Sequence, residues 1–114
     1  MIDFAHVWLP QIVQYAKLIS TGQLENEWLG RATASTSVTD PDELHVQVFD
    51  DLDADNIWAE NRGDSGLPAA ANAAIDHFLT ALRNMDEPDA QSLVRSAAWA
   101  SAKEAAQAVA TSVR

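Results

Sequence analysis

The sequence predicts an all-α domain, a compact bundle of four to five helices. Three observations carry that expectation. Apolar residues recur at three- and four-residue spacing in several separate stretches, the periodicity of one helix face. Residues that start and stop helices stand at the ends of those stretches. The last part of the chain, residues 86–114, is alanine-rich and favours helix by propensity alone. At 114 residues the chain reads as a single domain with a modest core, divided into a core bundle over residues 1–85 and a C-terminal helix over 86–114.

The first helix carries Phe4, Val7, Trp8, Ile12, Tyr15, Ala16 and Ile19 at helical spacing. Pro10 interrupts the run: it sits in the first turn of a helix reaching about Ser20, or it kinks a longer one. Gly22 suits the stop. A second helix carries Leu24, Trp28 and Leu29, with Glu25 and Glu27 pointing outward. Gly30 to Thr39 is rich in Ser and Thr and reads as a loop or a frayed helix end. From Asp40 onward two patterns compete. Leu44, Val46 and Val48 alternate like a strand, whereas Leu44, Val48 and Leu52 follow a helix face. The local grammar favours helix over about 41–52, because Asp40 can cap, Pro41 fits the first helical position, and Glu43 stands three residues after the cap. Asn61 to Pro68, with Gly63 and Gly66, reads as a loop. A fourth helix is expected from about Pro68 to Met85, with Ala71, Ala74, Ile75, Phe78, Leu79 and Leu82 inward. Asp86 to Asp89 is a break. The final helix runs to Val113, and its apolar side of Val94, Ala98, Ala102, Ala105 and Val109 is thin, so weaker packing is expected there.

Bulk composition narrows the function classes. No apolar run approaches the ~20 residues of a membrane helix. The start, Met1 to Phe4, has an acid where a secretion signal carries bases, so no signal is expected. There is no cysteine, which excludes disulfides and thiolate metal sites and makes a reducing cytoplasm the simplest home. A net charge of −10 repels nucleic acid and anionic lipid, so neither direct nucleic-acid binding nor membrane binding is expected; it favours a cationic protein partner.

Residues 40–64 hold nine acids and one base, Arg62, so eight of the ten net negative charges fall there. Asp40, Asp42 and Glu43 belong to a helix start, where acids are favourable. Asp50, Asp51, Asp53 and Asp55 are read at a helix end, where the dipole makes carboxylates unfavourable by a few tenths to about 1 kcal/mol each. Either Asp53 or Asp55 caps a following short turn and the rest is a solvated face, or the rule is broken because the site is functional, as local rules tend to be at such sites. The candidate partner-binding residues are therefore Asp50, Asp51, Asp53, Asp55 and Glu60, with Asp42 and Asp64 at the rim. Trp58 is either an anchor packed under the loop or an exposed interface aromatic, a type enriched at hot spots.

Other motifs carry less. Asp51, Asp53 and Asp55 have the opening spacing of a calcium-binding EF-hand loop, but Asn56 replaces the turn glycine and Arg62 stands where a bidentate Glu is required. Gly63-Asp64-Ser65-Gly66 matches the tetrapeptide around a trypsin-like nucleophile, yet the two-barrel context and the rest of the triad are missing. His6, His45 and His77 have no metal-ligand spacing. No catalytic set, cofactor site or metal site is expected, and the chain does not read as an enzyme.

Tyr15 through Leu29 resembles the first helix, turn and second helix of small colicin D-type immunity proteins. Glu43-Leu44 through Phe49 to Asp55 is similar to their third helix and its acidic end, and Ala74 through Leu82 to their closing helix. The resemblance covers about residues 4–85 and extends to the immunity proteins of contact-dependent growth inhibition. It implies a helical bundle in the bacterial cytoplasm that binds a basic toxin domain, often a tRNA-cleaving nuclease, and blocks its active site. Two other readings stand beside it: a calcium- or cation-responsive module using Asp51, Asp53 and Asp55, and a generic adaptor binding through the alanine-rich terminal helix.

Overall fold

The computed structural model describes residues 2–33 and 35–113. Ala34, within the expected loop, and Met1, at the acidic start, lie outside the described residues. Among the described residues all regular structure is helical, as the periodicity predicts. Three long helices form the frame: α1 (Leu9–Ser20), α5 (Ala69–Arg83) and α7 (Ala97–Ser112). Four shorter ones fill the ends and one side: α2 (Gln23–Trp28), α3 (Pro41–His45), α4 (Ala54–Asn61) and α6 (Ala90–Val94).

Pro10 stands in the first turn of α1, which reaches Ser20, the first of its two readings. The turn ahead of it, Phe4–Trp8, is π-wound, with the Trp8 amide donating to Asp3 O and the Leu9 amide to Phe4 O. A proline lacks an N–H and crowds the carbonyl four residues back. The wider turn accommodates that ring, and the chain runs on into α1. The same winding turns Val7 out to solvent while Trp8 stays fully buried. Gly22 closes α1 and opens α2 at φ 80°, the left-handed region that favours glycine.

The segment from Asp40 is helical, not a strand. Leu44, Val48 and Leu52 are buried on one face and Val46 is exposed, as the helical reading requires. Its second half, Val46–Asp51, is again π-wound. Two elements differ from expectation. Ala54–Asn61 forms α4, where no separate helix was expected and where Asn61 had been assigned to a loop. The terminal stretch is two helices, α6 and α7, because Asp89 and Ser96 each cap a fresh start by accepting from the amides of Ser92 and Trp99.

The largest correction concerns α7. It lies against both α1 and α5 and is the middle of the bundle, with Trp99, Ala102, Ala105, Ala106 and Val109 buried. A thin alanine face looked like weak packing. It is instead what lets α7 approach α1 on one side and α5 on the other. The apolar face of this helix is covered by α1 and α5. Glu25 and Glu27 also differ from the outward reading. Glu25 pairs with Lys103 on α7 at 2.6 Å. Glu27 accepts from Gln23, Ser35 and Thr36 and so ties the 30–39 loop to α2. The Trp28 indole adds a bond to Val38 O at 2.9 Å and rests against Trp99.

Candidate functional site

The acidic stretch folds into two short helices and the turn between them. At its start Asp40 is extended and its carboxylate accepts from the Glu43 amide at 2.8 Å, with Pro41 in the first helical position. Asp40, Asp42 and Glu43 therefore sit where the helix dipole favours acids. Glu43 also accepts from Gln47 at 3.0 Å, and Gln47 in turn accepts from the Tyr15 hydroxyl at 2.9 Å. Burial, then the nearby charges of Asp51 and Glu43, push the Tyr15 phenol up from its usual range. This network holds α3 against α1 and fixes the direction in which the acidic end projects.

Asp50 and Asp51 close the π-wound segment, and Leu52 follows as a buried plug. Both carboxylates are exposed, and neither makes a hydrogen bond or ion pair within the described residues. They stand at the negative end of a helix with no neutralising side chain. Asp53 then turns the chain at φ 47°, the one positive-φ residue other than glycine among those described. Asp tolerates that region better than most side chains.

Asp53 and Asp55 depart from the sequence reading. Both lie at the start of α4, not at a helix end, so the dipole favours them. Asp53 accepts from Asn56 at 3.0 Å. Asp55 forms an ion pair with Arg83 on α5 at 2.6 Å, and that guanidinium also lies 5.9 Å from the centre of the Phe49 ring. Asp55 thus has its cation inside the protein.

Trp58 is the packed anchor of its two readings: it is 5% exposed and does not face outward as an interface aromatic. Its ring stacks on Trp8 at 5.7 Å with 2° between planes, and on Phe4 at 6.0 Å. Its indole N–H donates to Asp76 at 2.7 Å. Arg62, the one base of the acidic stretch, leaves that stretch electrically: its guanidinium grips Asp76 through Nε and Nη2, the shortest contact being 2.6 Å. Glu60 and Asp64 are exposed without a side-chain partner among the described residues. Asp42 is exposed as well, but at the far end of α3 from Asp50 and Asp51.

Asp76 carries a structural load that follows from these bonds. The Arg62 hydrogen bonds, then that of Trp58, hold its carboxyl below the usual range despite partial burial. A depressed carboxyl stabilises the fold fully above its unfolded value, near 3.8, and that contribution is lost as pH falls through the lower folded value. Asp76→Ala strands the buried Trp58 N–H and is expected to cost about 1–3 kcal/mol at pH 7. Asp76→Asn keeps an acceptor and should cost less. Urea melts at pH 7 and at pH 3 check both points: the gap between wild type and Asp76→Ala should narrow at pH 3, and an equal gap at both pH values contradicts the assignment.

The remaining motifs resolve into local structure. Ser65 donates to Asn72 at 2.8 Å and accepts from the Leu67 amide, so its hydroxyl orders the turn before α5. Asp51, Asp53 and Asp55 do not converge, since Asp55 turns to Arg83 and Asp53 to Asn56. No group of three or more His, Asp or Glu among the described residues is placed to hold a metal ion. His6 pairs with exposed Asp3, and His45 packs on Phe49. The signal for α4 was present as Ala54, Ile57 and Trp58 at helical spacing, all three buried. The partners Arg83 and Asp76 left no local signal, lying 28 and 14 residues from Asp55 and Arg62.

Comparison with protein-family models, curated proteins and solved structures returns no match.

Proposed function

We propose that this chain is a non-enzymatic immunity protein that neutralises a basic toxin domain, a nuclease of the tRNA-cleaving kind, in the bacterial cytoplasm. Asp50 and Asp51 are its central contacts. The observation that carries the reading is their placement: two exposed carboxylates, side by side, unpaired within the described residues, at a helix end that disfavours them. Such a pair is held at a cost in folding energy that a basic partner offsets. Asp53, Glu60 and Asp64 follow it along the chain, at the start of α4, near its end and in the turn that closes it. Asp55 and Trp58 drop out of the contact set, because Arg83, Asp76 and the aromatic stack already engage them.

The chemistry fits a nuclease. Its active site is lined with Lys and Arg for phosphate, and neighbouring carboxylates can occupy that groove as an anionic substitute. Opposite charge also raises the association rate at low salt, which matters when free toxin is lethal. The resemblance to colicin D-type immunity proteins over about residues 4–85 supports the same reading.

The test begins with the basic protein that co-purifies with the chain from its native host. Its association rate is then measured at low and high salt against wild type and against Asp50→Lys/Asp51→Lys. The double reversal is expected to slow association roughly tenfold or more at low salt, with the helical circular dichroism unchanged. Co-expression of wild type should protect cells from that partner, and the double variant should protect less. Equal rates for the two proteins, or a partner without a basic surface, would sink the reading.

A further inference from the structure

A groove runs along α1 where three stretches of the chain meet. The π-wound turn and α1 supply Ala5, Leu9, Pro10 and Val13. The turn before α5 supplies Leu67, and Val113, just after α7, completes the apolar lining. The space they line is ≈ 360 Å³. Leu9, Val13 and Leu67 are partly buried against the core and Val113 is buried, so packing holds the lining in place. Two polar side chains share it, Gln14 and Lys17. They stand three residues apart, which makes them neighbours on one side of the helix. Neither side chain makes a hydrogen bond or ion pair within the described residues. Arg62, Arg83 and Lys103, by contrast, each grip a carboxylate of this acidic chain. α1 carries no acid of its own, so the ammonium in its last turn is left unanswered.

We propose that this groove binds one fatty-acid-like molecule, an unbranched alkyl chain ending in a carboxylate. Ligand sites of this size are lined mainly by apolar side chains, with a few polar groups that fix the ligand's orientation. Here the apolar lining starts at the π-wound turn, and the polar pair stands further along α1. Leu9 and Lys17 are eight residues apart. That is about 12 Å along a helix, which suits a tail of medium length. The tail gains by leaving water for Leu9, Val13 and Leu67. The carboxylate gains an ammonium and a carboxamide donor, and hydrogen bonds between charged groups are the stronger kind. An uncharged alkyl chain leaves Lys17 unanswered, and an alkyl cation is repelled by it. A net charge of −10 repels an anionic lipid surface, so the ligand enters as a single molecule.

The groove is independent of the basic-partner reading and is tested without that partner. Decanoate, decanol and decyltrimethylammonium are titrated into the full chain below their micelle-forming concentrations. The methyl signals of Leu9, Val13, Leu67 and Val113 are followed by NMR. Decanoate is expected to shift those signals saturably and to bind about tenfold more tightly than decanol, with the alkyl cation weaker still. Lys17→Met keeps an unbranched stem and removes the charge. It should weaken decanoate about tenfold and leave decanol unchanged, with the helical circular dichroism intact. Leu67→Ala removes a tail contact and should weaken decanoate and decanol alike. Equal binding of decanoate and decanol, an unchanged decanoate affinity in Lys17→Met, or shifts that begin only above the micelle-forming concentration overturn the site. Shifts of the same methyl signals that grow with protein concentration in the absence of any probe overturn it as well, since a second copy of the chain then covers the groove.

Discussion

Trp8→Ala is expected to cost about 3–5 kcal/mol, the range for truncating a buried aromatic. Trp8 is fully buried at the entrance to α1 and stacks on both Phe4 and Trp58. Its loss removes two of the three ring contacts of that cluster and leaves only Phe4 on Trp58 between the π-wound first turn and α4, the element that follows the acidic pair. Against a total of about 6–17 kcal/mol for a chain this size, that is a large fraction. The conservative variants sharpen the test. The Trp8 indole N–H is buried without a hydrogen-bond partner in the structure, whereas that of Trp58 is bonded to Asp76. Trp8→Phe sheds an unpaired donor and keeps a stacked ring. Trp58→Phe gives up a made bond to a carboxylate. Urea melts should therefore rank Trp58→Phe as the costlier of two chemically identical changes. The reverse order would show that the Trp8 N–H is satisfied in solution.

A chain ending at Asp89 is expected not to fold. It lacks Leu93, Trp99, Ala102, Ala105, Ala106, Val109 and Val113, all buried, and leaves the inner faces of α1 and α5 open to water. Fully burying a large apolar side chain contributes about 1.5–3 kcal/mol, so losing Leu93, Trp99, Val109 and Val113 together with the faces they cover exceeds the total stability. Thermal melts by circular dichroism should show no cooperative transition for the shortened chain. A graded version keeps the length: Ala106→Leu puts three extra carbons into a closed interface and should cost about 1–3 kcal/mol. A cooperative melt for the shortened chain would return α7 to the peripheral place its composition suggests.

Much of the fold is legible in local signals. The cap at Asp40 with Pro41 behind it is seen in the structure as read, and so is the buried face of Leu44, Val48 and Leu52. The inner face of α5 matches the expected positions as well. The misreadings share a cause. The importance of α7 was hidden because alanine contributes little apolar area by itself, and its value lies in the close approach it permits to larger neighbours. The π-wound turns at Phe4–Trp8 and Val46–Asp51 were hidden because widening a helix by one residue per bond leaves the local periodicity of the sequence almost unchanged. Asp53 and Asp55 were placed at a helix end because no helix was expected over Ala54–Asn61, which reversed the sign of the dipole argument for both.

Local signals are enough for the helical class, the helix start at Asp40 and the concentration of charge in residues 40–64. These depend on capping, periodicity and composition, which act over a few residues. Which acids remain unpaired depends instead on packing between distant elements. Packing α4 against its neighbours brings Arg83 to Asp55 and turns Arg62 away to Asp76, leaving Asp50 and Asp51 exposed at their helix end. Ion pairs and shared cavities form between elements distant in the chain, so their partners are set by how helices pack and not by the residues beside them.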